Sequence, residues 1–217
     1  MYLGRIVAVG VTKIGKIAVL YRVSSRSFPN REAKISENTA SIIPKPGFEN
    51  DIRKNPYIAY NCAKVFANFA ILSNGSHTDP IAEKISSGMH PRDAIALSLI
   101  TLDYEKDQYS TPRIVAVADR SAGKGYLGFV SNNAVGVSEV EMSPGRLSYV
   151  STYEHNYISR EFRENNFDIS DGKDACKFIL SNGIFEKFEN PVSAVSALDD
   201  GKGFLLSSLD INDLLKL

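Results

Sequence analysis

Cysteine is scarce in this 217-residue sequence: Cys62 and Cys176 stand alone, far from any Cys-x-x-Cys pair. That pattern excludes a disulfide framework, and both thiols are expected to be reduced and packed in the core. Histidine is nearly as sparse. His77, His90 and His155 show neither a His-x-x-x-His spacing nor a Cys or carboxylate at ligand spacing, so no metal site is expected. Net charge is absent too, with 25 Lys and Arg against 25 Asp and Glu. A chain so balanced has no global basic field for nucleic acid or an anionic membrane, and any anion recognition must be local. No apolar run approaches the ~18 residues of a membrane span, and "MYLGRIVAVG" lacks the charged n-region of a signal peptide. The expected compartment is the cytoplasm.

Several familiar sites are missing as well. "SAGKGYLG" has a Gly-Lys pair but lacks both the earlier glycine and the following Ser or Thr of a phosphate loop. No G-x-G-x-x-G opens a helix after a strand, and no G-x-S-x-G elbow occurs. Catalysis must therefore rest on Arg, Tyr, Asn and carboxylates. No repeat, low-complexity tract or linker divides the chain, so residues 1–217 are expected to form a single domain.

What is present reads as strands in blocks with helices grouped between and after them. "YLGRIVAVGV" and "KIAVLYRVS" are rich in Val, Ile and Tyr, and "TKIGK" between them carries a turn glycine. "TASIIP", "YIAYNCAKVF" and "ANFAILSNG" continue the strands, while residues 44–56, with three prolines, read as an exposed loop. Asp79 with Pro80, then Pro91 with Asp93, mark two helix starts, and Gly88 a stop between them. The second helix is apolar on nearly every side, which predicts burial between layers. Strands resume at "RIVAVAD", "GYLGFVS", "AVGVSEVEM" and "RLSYVSTY". A helix over "DGKDACKFILSNG" and two closing strands around Asp200-Gly201 complete the chain. This order argues for α+β layering, two sheets with helices outside, rather than βαβ alternation.

Four segments could carry chemistry. "YRVSSRSFPNR", residues 21–31, collects Arg22, Arg26 and Arg31. Strand alternation places Arg22, Ser24 and Arg26 on one face, with Tyr21 and Val23 on the other. Arg22 and Arg26 would then stand about 13 Å apart at ~3.3 Å per residue, a span suited to the two ends of a nucleotide-sized ligand. Pro29 sets a turn that swings Asn30 and Arg31 back toward that end. Guanidinium forks match phosphate oxygens, yet the same pattern fits a solvated edge strand, and the residues alone leave both readings open. Tyr60, inside an apolar strand, is either a core tyrosine with a partnered hydroxyl or a donor to a ligand. Asn61 beside it points to the opposite face unless the strand ends there. "SNGSHTDP", residues 73–80, runs into a helix N-terminus, the makings of an anion pocket or of ordinary capping. Capping accounts for Asp79 and leaves Asn74 and His77 over. Asp103 and Glu105 fall in the last turn of the apolar helix. A partly buried Glu there would have a raised pKa suited to a general acid, but the residues alone favour a frayed, solvated terminus paired with Lys106.

Taken together, "YLGRIVAVG", "YRVSSRSFPNR", "NPYIAYNC", "SNGSHTD", "RDAIALSL" and "DYEKD" followed by "TPRI" closely resemble the archaeal IMP cyclohydrolases. The resemblance is strongest over residues 1 to 115. It implies closure of formamidoimidazole carboxamide ribonucleotide (FAICAR) to inosine monophosphate (IMP) with release of water, the last step of purine synthesis, without metal or redox cofactor. It implies an α+β, four-layer αββα sandwich like that of the N-terminal nucleophile hydrolases. Those hydrolases expose Thr, Ser or Cys as first residue, whereas this chain begins Met1-Tyr2-Leu3, so their covalent chemistry is not expected. On this basis Tyr60 and Arg22 are expected to stabilise or protonate the formyl oxygen, and Glu105 to relay a proton near the leaving water. Arg26, Asn30, Arg31, Asn74 and Ser76 are assigned to phosphate and ribose, with Ser24, Asn61, His77 and Asp103 in the same substrate pocket. Tyr60→Phe, Arg22→Ala and Glu105→Gln should then each lower kcat with the fold intact. A non-catalytic purine-nucleotide sensor is the alternative reading. The partner is thus a small nucleotide, and edge strands with the apolar C-terminal "LDINDLLKL" leave room for a homo-oligomer.

Overall fold

The two Val- and Ile-rich runs at the start form β1 (Ile6–Val11) and β2 (Ile17–Ser24), joined by a turn in which Gly15 takes φ +86°. The computed structural model describes residues 1–214. A second hairpin follows, β3 (Arg31–Ser36) and β4 (Thr39–Pro44). The polar β3 was not anticipated. Its half-exposed, charged pattern is that of an edge strand, and it lies at the edge of its sheet. The proline-rich segment contains one helical turn, α1 (Asp51–Lys54), and then a 3-10 turn over Pro56–Ile58 where strand was expected. Pro56 has no N–H for a ladder, and the Asn55 side chain accepts from the Tyr57 N–H instead.

β5 (Tyr60–Phe66) and β6 (Phe69–Ser73) lead to α2 (Thr78–Ser86) and α3 (Pro91–Leu102). Two expectations fail here. Asp79 is not the cap: His77 holds that position, and the Asp79 carboxylate accepts from Asn61 Nδ2 at 2.9 Å and pairs with Lys64. Nor is α3 enclosed between layers, since Leu97 and Ile100 are 47% and 62% exposed. The chain then runs as a meander, β7 (Arg113–Asp119), β8 (Lys124–Val130) and β9 (Val135–Val140). After β10 (Arg146–Ser151) and the two-residue β11 (Arg163–Glu164) comes α4 (Gly172–Ser181), capped by Asp171 accepting from Lys173 and Asp174 N–H. β12 (Pro191–Asp199), β13 (Phe204–Asp210) and the short α5 (Ile211–Leu214) close the described chain. The apolar C-terminal stretch lies partly outside the described residues; Leu209 and Leu214 within it pack on the α4 side.

The strands make two antiparallel sheets, of order β11-β10-β1-β2-β12-β13 and β3-β4-β5-β6-β7-β8-β9. Alternation sorts their side chains into three apolar clusters. Val7, Val19, Tyr21 and Val23 meet Ile42, Cys62 and Leu72 between the sheets. Ile6, Ala8 and Leu20, on the other face of the first sheet, pack against Cys176, Phe178 and Ile179 of α4. Ile71, Val115 and Val117 pack against Ile81, Ile95 and Leu99 of α2 and α3. The α+β sandwich thus follows from the period-two pattern of its strands. Both cysteines are free and buried, and no helix among the described residues is long and apolar enough to cross a membrane.

Candidate active site

A cavity of about 500 Å³ opens where four segments converge: the N-terminal residues, the end of β2, the 54–58 turn and the 106–111 loop. Its wall carries five cations, Arg5, Arg26, Arg31, Lys54 and Lys106, against a single carboxylate, Asp107. That carboxylate is already occupied by Thr111 and the Tyr109 N–H. Tyrosines frame the opening. Tyr2 stacks on Tyr153 at 5.8 Å, the Arg26 guanidinium lies 4.0 Å over the Tyr2 ring, and Tyr57 and Tyr109 complete the wall. Four of the five cations are paired with carboxylates set outside the wall, Arg5 with Glu105, Arg26 with Glu189, Lys54 with Asp51 and Lys106 with Asp103, and Arg31 has no such pair among the described residues. Guanidinium forks suit phosphate oxygens, and the aromatic faces suit a planar base.

Arg5 belongs to both the wall and a deeper cluster. Its Nη2 meets Glu105 Oε2 at 3.1 Å, and the Glu105 side chain is 1% exposed. Burial raises the Glu105 pKa, outweighing the opposing pull of Arg5 and Arg113. Arg5 pays a desolvation cost as well, but the Glu105 carboxylate and nearby tyrosines hold its pKa above the usual arginine value. Glu105 is not in a helical last turn: α3 ends at Leu102, Asp103 takes φ 55°, and the Glu105 N–H bonds Thr111 O in the following loop. Glu105 Oε1, Arg5 Nε, Arg31 Nη1, Arg113 Nη1 and His77 Nδ1 are all buried without a hydrogen-bond partner among the described residues. Buried polar groups in such a cluster are ones that ordered water or a ligand can satisfy.

Three of these groups face Gly75. A Cβ there would meet Arg113 Nη1 at 2.5 Å, with Glu105 Oε1 and His77 Nδ1 both at 3.4 Å. Arg113 is 5% exposed and its Nε is held by Asp103 O at 2.7 Å, so it could not yield without turning from Glu105. Gly75→Ala is therefore expected to lower kcat by roughly 10- to 100-fold while the protein still folds. Steady-state kinetics beside a thermal melt check this; an unchanged kcat would show that Arg113 is dispensable.

Tyr60, partly buried on β5, places its hydroxyl 2.5 Å from that of Tyr21 on β2. Burial raises the pKa of Tyr60, against the lowering influence of Arg31 and Arg5. Arg31 is 1% exposed, lines the cavity, and donates through Nε to Phe28 O.

The other expected site residues divide. Ser24 and Arg26 line the cavity with Arg31. Arg22 does not, and its placement corrects the expectation that it stands by the reacting group. Its side chain turns to the α4 face, where it donates to Ser24 Oγ and to the carbonyls of Ile179, Leu180, Phe185, Phe188 and Glu189 at 2.5 to 3.3 Å. Burial lowers its pKa to about 10, which leaves it charged at neutral pH. Asn61 faces the α2 layer, bonded to Ser41 and Asp79, so the strand alternation holds and its assignment to the pocket does not. Asn74 is a strut, donating to Pro112 O and accepting from the Ile114 N–H. His77 is buried with Nε2 on Ile114 O, and burial together with Arg113 lowers its pKa to about 3. Ser76 is exposed, and Asp103 is paired with Lys106; neither bounds the cavity, nor do Asn30 and Tyr60, the latter lying behind Arg5 and Arg31, which do. Arg5 and Arg113 were overlooked, each being a lone arginine beside an apolar strand. The one available signal was that "GRIV" and "PRIV" both set Arg at the threshold of a buried strand.

An α+β sandwich bearing a cation-rich, tyrosine-framed cavity over a buried carboxylate is, by class, a protein built to hold a small anionic ligand. The model of the IMP cyclohydrolase-like proteins matches residues 2–203, and the chain belongs to that family. A protein of Methanosphaera stadtmanae named IMP cyclohydrolase is 48% identical over 199 residues, 92% of this chain and 95% of that one. Proteins of the same name from Methanococcus aeolicus and Methanocaldococcus jannaschii are 46% and 44% identical over 201 and 214 residues. Those matches cover 93% and 96% of this chain and 97% and 98% of the relatives.

Proposed function

We propose that this chain is an IMP cyclohydrolase, closing FAICAR to IMP with release of water. Family membership supports the reading. So does one geometric observation: the wall of the 500 Å³ cavity and the buried Glu105 cluster share Arg5. A nucleotide bound by its phosphate at the mouth would thus present its base toward a proton-handling group.

The carboxamide nitrogen of the substrate attacks the formyl carbon, forming one C–N bond; the carbonyl π electron pair moves onto the formyl oxygen, which gains one proton as the nitrogen loses one. The resulting carbinolamine then loses hydroxide from carbon and hydrogen from the former formamide nitrogen, which together leave as water. An amide is a poor nucleophile, and holding both groups in one cavity supplies much of the rate. Tyr60 donates to the formyl oxygen, and Arg5, standing where Arg22 was expected, stabilises the developing charge. Glu105 Oε1 takes the carboxamide proton through one bridging water and returns it to the departing hydroxyl. Arg26, Arg31, Lys54 and Lys106 receive the phosphate, Ser24 lies beside them, and the tyrosine frame receives the base. The two sheets and their helices act as one catalytic domain with the layering of N-terminal nucleophile hydrolases but another chemistry. The two free, buried thiols agree with a cytoplasmic setting. Exposed Leu97 and Ile100 on α3 support self-association; sedimentation at the mass of one chain would remove that last point.

The test is direct. Purified protein incubated with FAICAR should form IMP, and Tyr60→Phe should lower kcat on the order of 100-fold. Tight nucleotide binding without product would instead make the protein a purine-nucleotide sensor.

A further inference from the structure

The Tyr21–Tyr60 contact crosses from one sheet to the other, and the two phenols are not equivalent. Tyr21 is 0% exposed in the cluster between the sheets, and among the described residues its hydroxyl is hydrogen-bonded only to Tyr60. Tyr60 is only partly buried. One of the two must donate to the other, and each oxygen carries a single proton. Were Tyr60 the donor, the Tyr21 proton would be stranded in an apolar core, an uncompensated burial costing roughly 1–3 kcal/mol. The opposite arrangement strands nothing. Tyr21 gives its proton to Tyr60 Oη, and the Tyr60 proton is left pointing out of the core.

Its surroundings agree with that direction. Arg31 from β3 and Arg5 from the chain before β1 act on the Tyr60 phenol, and both line the cavity. The remaining titratable neighbour, Cys62 on the same strand, is a thiol that burial keeps protonated. Among the described residues the Tyr60 hydroxyl makes no hydrogen bond besides that with Tyr21, which leaves its outward proton for a ligand.

We infer that Tyr21 is a positioning residue, whose buried hydroxyl donates to Tyr60 and thereby aims the Tyr60 proton at the substrate's formyl oxygen. The inference rests on the cyclohydrolase reading, but half of it can be tested without substrate. Tyr21→Phe removes one oxygen, keeps the ring in the core, and leaves the cavity wall untouched. Turnover should fall about tenfold, since aim rather than the acid itself is lost, with KM changed by less than about twofold. A donated hydrogen bond favours the phenolate, so without it the Tyr60 pKa should rise. The alkaline limb of the rate profile, where Tyr60 loses its proton, should move upward with it. In substrate-free protein, the ¹³Cζ resonance of Tyr60, assigned by its loss in Tyr60→Phe, should titrate at higher pH in Tyr21→Phe than in wild type. A purely structural Tyr21 would lower the melting temperature and move neither quantity. If kcat stays within about twofold of wild type, or the Tyr60 titration does not move, the inference is overturned. If the wild type does not turn FAICAR over, the cyclohydrolase reading falls, and the resonance titration alone then decides the donor direction.

Discussion

Arg22→Met is expected to destabilise the protein by about 3–5 kcal/mol, the scale for breaking a buried, fully hydrogen-bonded charge. At this chain length that is a fall in melting temperature of roughly 10 °C. Two of the carbonyls it holds, Ile179 and Leu180, lie in the last turn of α4, where backbone acceptors have no partner within the helix. The cation also sits at the negative pole of that helix. The other three carbonyls belong to residues 185 to 189, which return the chain to β12, the neighbour of β2. One guanidinium on β2 thus fastens the helix end and its exit to the sheet. Methionine keeps much of the stem's volume and leaves four buried carbonyls, and the part-buried one of Glu189, short of a donor. Arg26→Ala supplies the contrast. Its side chain is 60% exposed and pairs with a half-exposed Glu189, so stability should change by less than about 0.5 kcal/mol while the KM for a phosphorylated substrate rises. Urea unfolding of the two variants beside the wild type measures both effects. Should Arg22→Met keep its stability within about 1 kcal/mol and lose turnover, Arg22 belongs to the site after all.

That contrast shows what a strand pattern conveys. Alternation along "YRVSSR" separates Tyr21 and Val23 from Arg22 and Ser24, and the structure keeps that division. What the pattern omits is the partner of each face. The carbonyls awaiting Arg22 lie more than 150 residues further along the chain, and no local signal carries that distance. The same limit hid Arg5, whose partner Glu105 is 100 positions away. Glu105 was singled out by the family resemblance, because "LDYEKD" at the end of an apolar helix reads by itself as a solvated terminus. Its loop setting was not legible: Asp103 takes a positive φ, and its carbonyl accepts from Arg113 Nε, ten residues further on. Composition misled in α3 for a different reason. An apolar residue lowers the cost of burial without requiring it, and Leu97 and Ile100 stay outside. Asn61 was assigned to the pocket against its own strand parity, and parity was the better guide.

Glu105→Gln should lower kcat by about a thousandfold, within the range for loss of a general base or acid, and should erase one limb of the pH profile. The side chain keeps its shape, so the packing is retained while the titratable proton and the charge facing Arg5 are lost together. Oε2 is committed to Arg5, and Oε1 is the buried, unpartnered atom left to accept a proton. The active form is the ionised one. Because burial lifts the Glu105 pKa above its ordinary 4.5, activity should fall, as pH is lowered, through a midpoint above that value. Two neighbours are poor sources of the same limb. Lys106 and the Tyr104 N–H pull Asp103 below its ordinary 3.8, and His77, lowered to about 3 by burial and Arg113, stays neutral throughout. Stability supplies an independent sign. A carboxyl whose folded pKa is raised contributes stability that is present at low pH and lost as pH rises through that pKa. The glutamine variant has no such loss, so its stability relative to wild type should improve between acid and neutral pH. Rate profiles and urea melts over one pH series read both effects. A variant that keeps the wild-type acid limb would assign the proton to another group and leave Glu105 as the partner that holds Arg5 in the wall.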